Sequence, residues 1–143
     1  MKDFNKNRVN EDALEADDDV VIYNGVPFNG VGFDNFADGS VIEYETEYKN
    51  GFPHGMKKKW YKNGELAYSI SYFNGLKHGE ENHWYPSGQS KLFAVYEYGV
   101  KVNSILWNEN GEVVERFSIS QDSINFTILQ KRRLLGWDHD WIT

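Results

Sequence analysis

The sequence predicts an all-β repeat protein: an open antiparallel meander of about four 24-residue hairpin repeats, with a C-terminal capping helix or strand. Three observations predict it. Tyr48, Asn50, Gly51, His54, Gly55, Trp60, Tyr61 and Gly64 recur 24 positions later as Tyr72, Asn74, Gly75, His78, Gly79, Trp84, Tyr85 and Gly88. Glycines fall in three spaced series: Gly25, Gly51, Gly75 and Gly99; Gly30, Gly55 and Gly79; Gly39, Gly64, Gly88 and Gly111. Between them the chain alternates with period two. Leu66, Tyr68, Ile70 and Tyr72 stand against Ala67, Ser69 and Ser71, and Ile42, Tyr44, Thr46 and Tyr48 against Glu43, Glu45 and Glu47. Period two broken by regular turns makes antiparallel hairpins, not helices.

In chain order, residues 1–19 form an acidic N-terminal segment, with residues 1–8 expected to be disordered and Arg8 to Leu14 a short strand or turn. Val20 to Tyr23 is a compact β-forming run, and Asn24-Gly25 is a hairpin turn signal. Repeats fill residues 20–119, in units that begin near Tyr23, Tyr48, Tyr72 and Tyr96. One unit cannot bury its aromatic face alone, so stability comes from stacking on its neighbours. The outer units diverge as caps do: Asn35 stands where the second has Trp60, and Asn103 replaces a second-series glycine. Trp60, Trp84 and Trp107 recur with the repeat and are expected in the core. Residues 120–143 are cap and tail. Ser120 or Asp122 as N-cap, Lys131-Arg132-Arg133 in the last turns and Gly136 as the stop predict a helix. The alternation of Ile124, Phe126 and Ile128 leaves a fifth strand as the competitor.

Composition narrows the function. The 143 residues include no cysteine, which excludes disulfides, thiolate metal sites and a cysteine nucleophile. The net charge of −7 is concentrated at the N-terminus, where residues 1–19 carry seven acidic against three basic side chains. Such a chain repels phosphate backbones and anionic lipid, so neither direct nucleic-acid binding nor membrane association is expected. It attracts basic protein surfaces. No apolar run suggests a secretory leader or a membrane span, and a cytoplasmic location is expected.

The pattern Y-x-N-G-x-x-H-G-x-x-x-x-W-Y-x-x-G, from Tyr48 to Gly64 and again from Tyr72, resembles the MORN-variant repeat. From about Val20 to Ile119 the whole arrangement resembles the YwqK-like family of bacterial antitoxin and immunity proteins. Pro27-Phe28-Asn29-Gly30-Val31-Gly32 looks like that family's first repeat, with Asn29 where Thr is usual. The resemblance implies a protein that binds a cognate toxin domain and blocks it. A MORN-type scaffold or membrane-surface module is the alternative.

The residues that distinguish this chain from its own repeat are the candidates for specificity. Glu43, Glu45, Glu47, Glu80 and Glu81 suggest an acidic docking surface for a basic partner, against a merely solvated face. A catalytic carboxylate pair needs a partly dry pocket that an open strand does not supply, so no enzyme is expected. The unrepeated tail Trp137-Asp138-His139-Asp140-Trp141 offers aromatic anchors, or else folds back as a cap. His54 and His78 occupy equivalent repeat positions, which favours a scaffold role over metal binding, and no cofactor is expected. Lys57-Lys58-Lys59 has no counterpart in Glu81-Asn82-His83 and reads as a salt-bridged surface. Tyr48, Gly51, Gly55, Trp60, Gly64, Tyr72, Gly75, Gly79, Trp84 and Gly88 are assigned to the architecture.

Overall fold

A computed structural model describes residues 7–137. Of the residues 1–8 expected to be disordered, 1–6 lie outside the described residues, as do the candidates Asp138, Asp140 and Trp141, while Arg8 is ordered as the start of the first strand. The chain forms β1 (Arg8–Asn10), a 3-10 turn (Glu11–Ala13), β2 (Glu15–Asp17), β3 (Val20–Tyr23), β4 (Val26–Pro27), β5 (Gly30–Asn35) and β6 (Ile42–Lys49). It continues with β7 (Phe52–Trp60), β8 (Leu66–Phe73), β9 (Leu76–Trp84), β10 (Ser90–Glu97), β11 (Val100–Trp107), β12 (Val113–Ser118) and α1 (Ile124–Leu135). Strands β5 to β12 run as one antiparallel meander, and β1 adds a parallel strand beside β5, giving nine strands in one sheet. The open meander with a C-terminal helix is the fold that the repeat predicted.

The first hairpin departs from that plan. β3 and β4 turn at Asn24-Gly25 as expected but join β2 in a separate three-stranded sheet. Pro27 has no N–H to extend a ladder, and the buried Phe28 turns inward just after it. The small sheet then docks on the next repeat: the Val21 N–H donates to the Gly51 carbonyl, and the Gly51 N–H to that of Phe28, both at 2.8 Å.

Each repeat is tied to the next along both turn edges. The Gly75 N–H donates to the Pro53 carbonyl and the Gly99 N–H to the Lys77 carbonyl, as Gly51 does to Phe28. Beside each of these bonds a repeated side chain accepts from the following turn. Asn29 Oδ1 takes the Asn50 N–H (2.9 Å), His54 Nδ1 the Asn74 N–H (3.1 Å) and His78 Nδ1 the Tyr98 N–H (2.9 Å). The repeated histidines therefore cap turns. On the other edge the Tyr61 hydroxyl donates to the Trp84 carbonyl and the Tyr85 hydroxyl to that of Trp107, both at 2.8 Å.

Register corrects the simple alternation. Lys59 faces Tyr68 while Trp60 faces Leu66, so Ala67 is an extra residue; Glu43, Lys91 and Val114 are skipped in the same way. Such a bulge moves the following side chain to the other face. Ile42 and Leu66 therefore leave the tyrosine side and join Trp60. Nor do the repeat tryptophans form a buried core. Trp60, Trp84 and Trp107 are half-buried, because no second sheet or helix lies broadly across β6 to β11 among the described residues. The core is a thin cross-strand line instead. Gly32, Thr46, Lys57, Ile70, Glu81, Ala94 and Ser104 are successive partners across seven strands, and all but Lys57 are buried. Small side chains on this line are covered by the larger ones on either side.

The C-terminal segment is a helix. Its N-cap is Ser123, whose Oγ accepts the Phe126 N–H at 3.2 Å; Ser120 supports that turn from one step earlier, and Gly136 ends the helix. Leu129 is completely buried, whereas Ile124 and Ile128 of the strand-like alternation are exposed. The Arg132 guanidinium donates to the Tyr98 carbonyl (2.6 Å), and Arg133 pairs with Glu97. Trp137 stacks against Phe73, His78 and Tyr98, with ring centroids 4.4, 5.0 and 4.5 Å away. The helix thus closes the Asn-Gly turn edge across two repeats.

Candidate functional site

The sheet presents two chemically different faces. Alternation from the central line places Tyr44, Tyr48, Tyr68, Tyr72 and Tyr96 on one of them, with Lys57, Lys59, Lys77, Glu81 and His83. Two of its lysines have acidic partners. Glu81, buried, takes Lys77 Nζ at 2.7 Å, and His83 Nε2 lies 3.3 Å away, though out of line for a hydrogen bond. Lys59 stands over the Tyr44 ring at 5.0 Å and 3.9 Å from Glu43. At the N-terminal end Glu11, Asp34, Tyr44, Thr46, Tyr48 and Lys57 line a polar hollow of about 280 Å³. There the Tyr48 hydroxyl donates to Glu11 Oε1 at 3.1 Å, and burial followed by the Glu11 charge pushes this phenol well above its ordinary pKa.

The other face carries the tryptophans. Lys58 pairs with Glu45 across β6 and β7, and Trp60 follows two residues on, so the two share a side. By the same rule Glu80, Asn82 and Trp84 lie together, as do Ile105 and Trp107. Glu47 and Glu45 belong to this face. Glu45 pairs with Arg8 at 3.2 Å, Glu47 folds over Gly55 to accept the Met56 N–H at 2.5 Å, and Glu80 is exposed with no ion pair among the described residues.

The sequence candidates are thus divided. Glu45, Glu47 and Glu80 share a face with the tryptophan ladder. Glu43, skipped by the register, and Glu81 turn to the tyrosine face, where both meet lysines. Trp137 lies at the turn edge within the helix contact. The lysine triplet is split between faces. The sequence reading missed the hollow at Glu11, because that residue comes from the N-terminal segment by tertiary contact. Among the described residues no three His, Cys, Asp or Glu side chains gather as metal ligands, and no helix is long and apolar enough to cross a membrane.

The Glu81 cluster predicts an acid-sensitive stability. Burial alone would raise this carboxyl, but His83 and Lys77 outweigh it and hold the pKa at about 2, below the ordinary 4.5. A depressed folded-state pKa contributes stability that is complete above pH 4.5 and is lost as pH falls toward 2. Of the acid destabilisation in that window, about 2 kcal/mol is expected to come from this group. Urea titrations at several pH values should show a shallower pH slope for Glu81→Gln than for wild type; equal slopes would contradict the assignment.

The fold defines the class: a single-layered repeat meander whose two faces both carry half-exposed aromatic side chains. Comparison with known proteins gives the family. The chain is 42% identical over 125 residues to the immunity protein YwqK of Bacillus subtilis (strain 168), covering 87% of this chain and 79% of the relative. It belongs to the YwqK-like immunity protein family. No family model matches it, and no solved structure does.

Proposed function

We propose that this protein binds a cognate toxin domain in the cytoplasm and neutralises it by covering a basic active-site or substrate-binding cleft. The observation that carries this reading is the tryptophan face, where Trp60, Trp84 and Trp107 stand half-exposed and Glu45, Glu47 and Glu80 share the same side of the sheet. Half-exposed aromatics make good anchors in a complex, because they bury large area with few rotors to freeze. The carboxylates around them, with the acidic N-terminal segment, speed encounter with a basic partner. The family supports the reading, since the relative in Bacillus subtilis is named an immunity protein. The tail residues Asp138, Asp140 and Trp141, with Trp137, offer further contacts in this proposal.

Co-expression with the toxic domain encoded beside this gene is expected to restore growth, and the two proteins are expected to co-purify. Glu80 is exposed and has no ion pair among the described residues, so Glu80→Lys should slow association several-fold at low salt and little at high salt, leaving the dissociation rate nearly unchanged. No rescue together with no co-purification would end the proposal.

A further inference from the structure

The nine-stranded sheet ends in two unlike edges. At the N-terminal edge β1 has only three residues and gives way at once to the 3-10 turn, a short form that protects an edge. At the C-terminal edge β12 runs for six residues, and no strand pairs with its outer side among the described residues. All of its residues but Phe117 are exposed. The helix that follows is anchored elsewhere, through Arg132 and Trp137 at Tyr98 and Arg133 at Glu97. The backbone direction along β12 is fixed. The Ile119 N–H donates to the Val102 carbonyl at 2.8 Å, in the register that sets Ser118 against Asn103 and Phe117 against Ser104. Bonded and non-bonded residues alternate in an antiparallel pair. Phe117 and Glu115 therefore bond inward to β11, and the N–H and carbonyl groups of Arg116 and Ser118 point out.

The repeat shows what such an edge takes. Trp84 faces Ser90 as Trp107 faces Val113, so β12 stands where β10 does one repeat earlier. The far side of β10 receives β11 as an antiparallel partner, and β12 offers the same side. A row of main-chain donors and acceptors is satisfied by one kind of ligand, another strand. A second copy of this chain fits it poorly. About a twofold axis, outward-pointing residues must meet outward-pointing residues. The fullest overlaps of two β12 strands then centre on Glu115 against Glu115 or on Arg116 against Arg116. Like charges directly opposite are destabilising, and the net charge of −7 on each copy adds to the repulsion.

We propose that an extended segment of the toxin domain adds to β12 as a further antiparallel strand of the sheet. This rests on the toxin-binding reading above and names how the toxin is held. The outward groups of Arg116 and Ser118 pair with the main chain of that segment. Val113 stands opposite Trp107, so the added strand carries the toxin onto the end of the tryptophan face. Main-chain pairing along β12 sets the register of the complex, and the aromatic face beside it supplies apolar area.

Amide exchange followed by NMR tests the idea, with an inactive form of the toxic domain encoded beside this gene as the partner. In the free protein Glu115 and Phe117 should exchange slowly and Arg116 and Ser118 fast. Binding is expected to slow Arg116 and Ser118 at least about tenfold. Arg116→Pro removes an outward N–H and leaves the bonds to β11 in place, which an edge strand tolerates. It should keep Tm within about 3 °C of wild type and weaken binding at least about tenfold. Arg116→Ala retains the N–H and should bind within about threefold of wild type. Wild-type binding with Arg116 and Ser118 still exchanging fast overturns the proposal and leaves the toxin-binding reading standing. Unchanged affinity in a folded Arg116→Pro does the same; if that variant does not fold, exchange in the wild-type complex decides. Slow exchange at both residues in the free protein also overturns it. Loss of that protection on dilution of a dimer seen in sedimentation assigns the edge to a second copy, and its persistence in the monomer assigns the edge to the chain itself. Absence of wild-type binding sinks the toxin-binding reading, and the proposal with it.

Discussion

Gly51→Ala is expected to destabilise the protein by about 4 kcal/mol, lowering Tm by about 10–15 °C. Two effects add. Gly51 has φ +83°, a left-handed conformation that costs an L-residue about 1–2 kcal/mol. A Cβ there would also lie 2.4 Å from Val20 Cγ1 and 2.7 Å from the Val21 carbonyl oxygen. The second atom is backbone of the docked small sheet and cannot swing aside, so the sheet must shift and strain both hydrogen bonds at Gly51. Gly64→Ala isolates the first effect, since φ there is +91° and nothing lies within 4 Å of the added carbon. Its loss should be about 1–2 kcal/mol. Denaturant unfolding of both variants measures the difference. Equal losses would mean that docking of the small sheet contributes nothing at this turn.

Leu129→Ala is expected to release the C-terminal helix, with a loss of about 3 kcal/mol. Leu129 is the helix residue that is completely buried, while Phe126 and Leu135 are half-buried and Ile124, Ile128 and Leu134 are exposed, so Leu129 is the helix's main apolar anchor. Arg132 and Trp137 then lose the positions from which they hold the Tyr98 turn. Tyr98 itself has φ +49°, unusual for a bulky side chain. Its carbonyl bond to Arg132 and its stack on Trp137 offset that strain in the folded protein. Hydrogen exchange should show the amides of α1 and the Tyr98 turn opening together, while β6 to β9 stay protected. Protection of the helix at the wild-type level would contradict this account.

The repeat was legible because it is local. Turn dipeptides, strand alternation and the 24-residue period each report on a few neighbouring residues, and together with the helix signals they gave the meander, the turn positions, the scaffold role of the histidines and the helix stop at Gly136. The bulges were not legible. Glu43 and Ala67 look like ordinary members of an alternating strand, and only the facing strand shows that register skips them. This is why the row of glutamates before Tyr48 does not act as one surface. The departure of the first hairpin from the main sheet was hidden for a similar reason, since it follows from the contact between Phe28, Val21 and a turn one repeat away.

The sequence by itself determined the repeat architecture and, through its resemblance, the family. These follow from short-range conformational preferences repeated at a fixed period. Tertiary structure alone decided which side chains share a face, which carboxylates are already paired, and which backbone groups of β12 point away from the sheet. A one-residue change of register reverses the direction of a side chain, and that choice is made by the neighbouring strand.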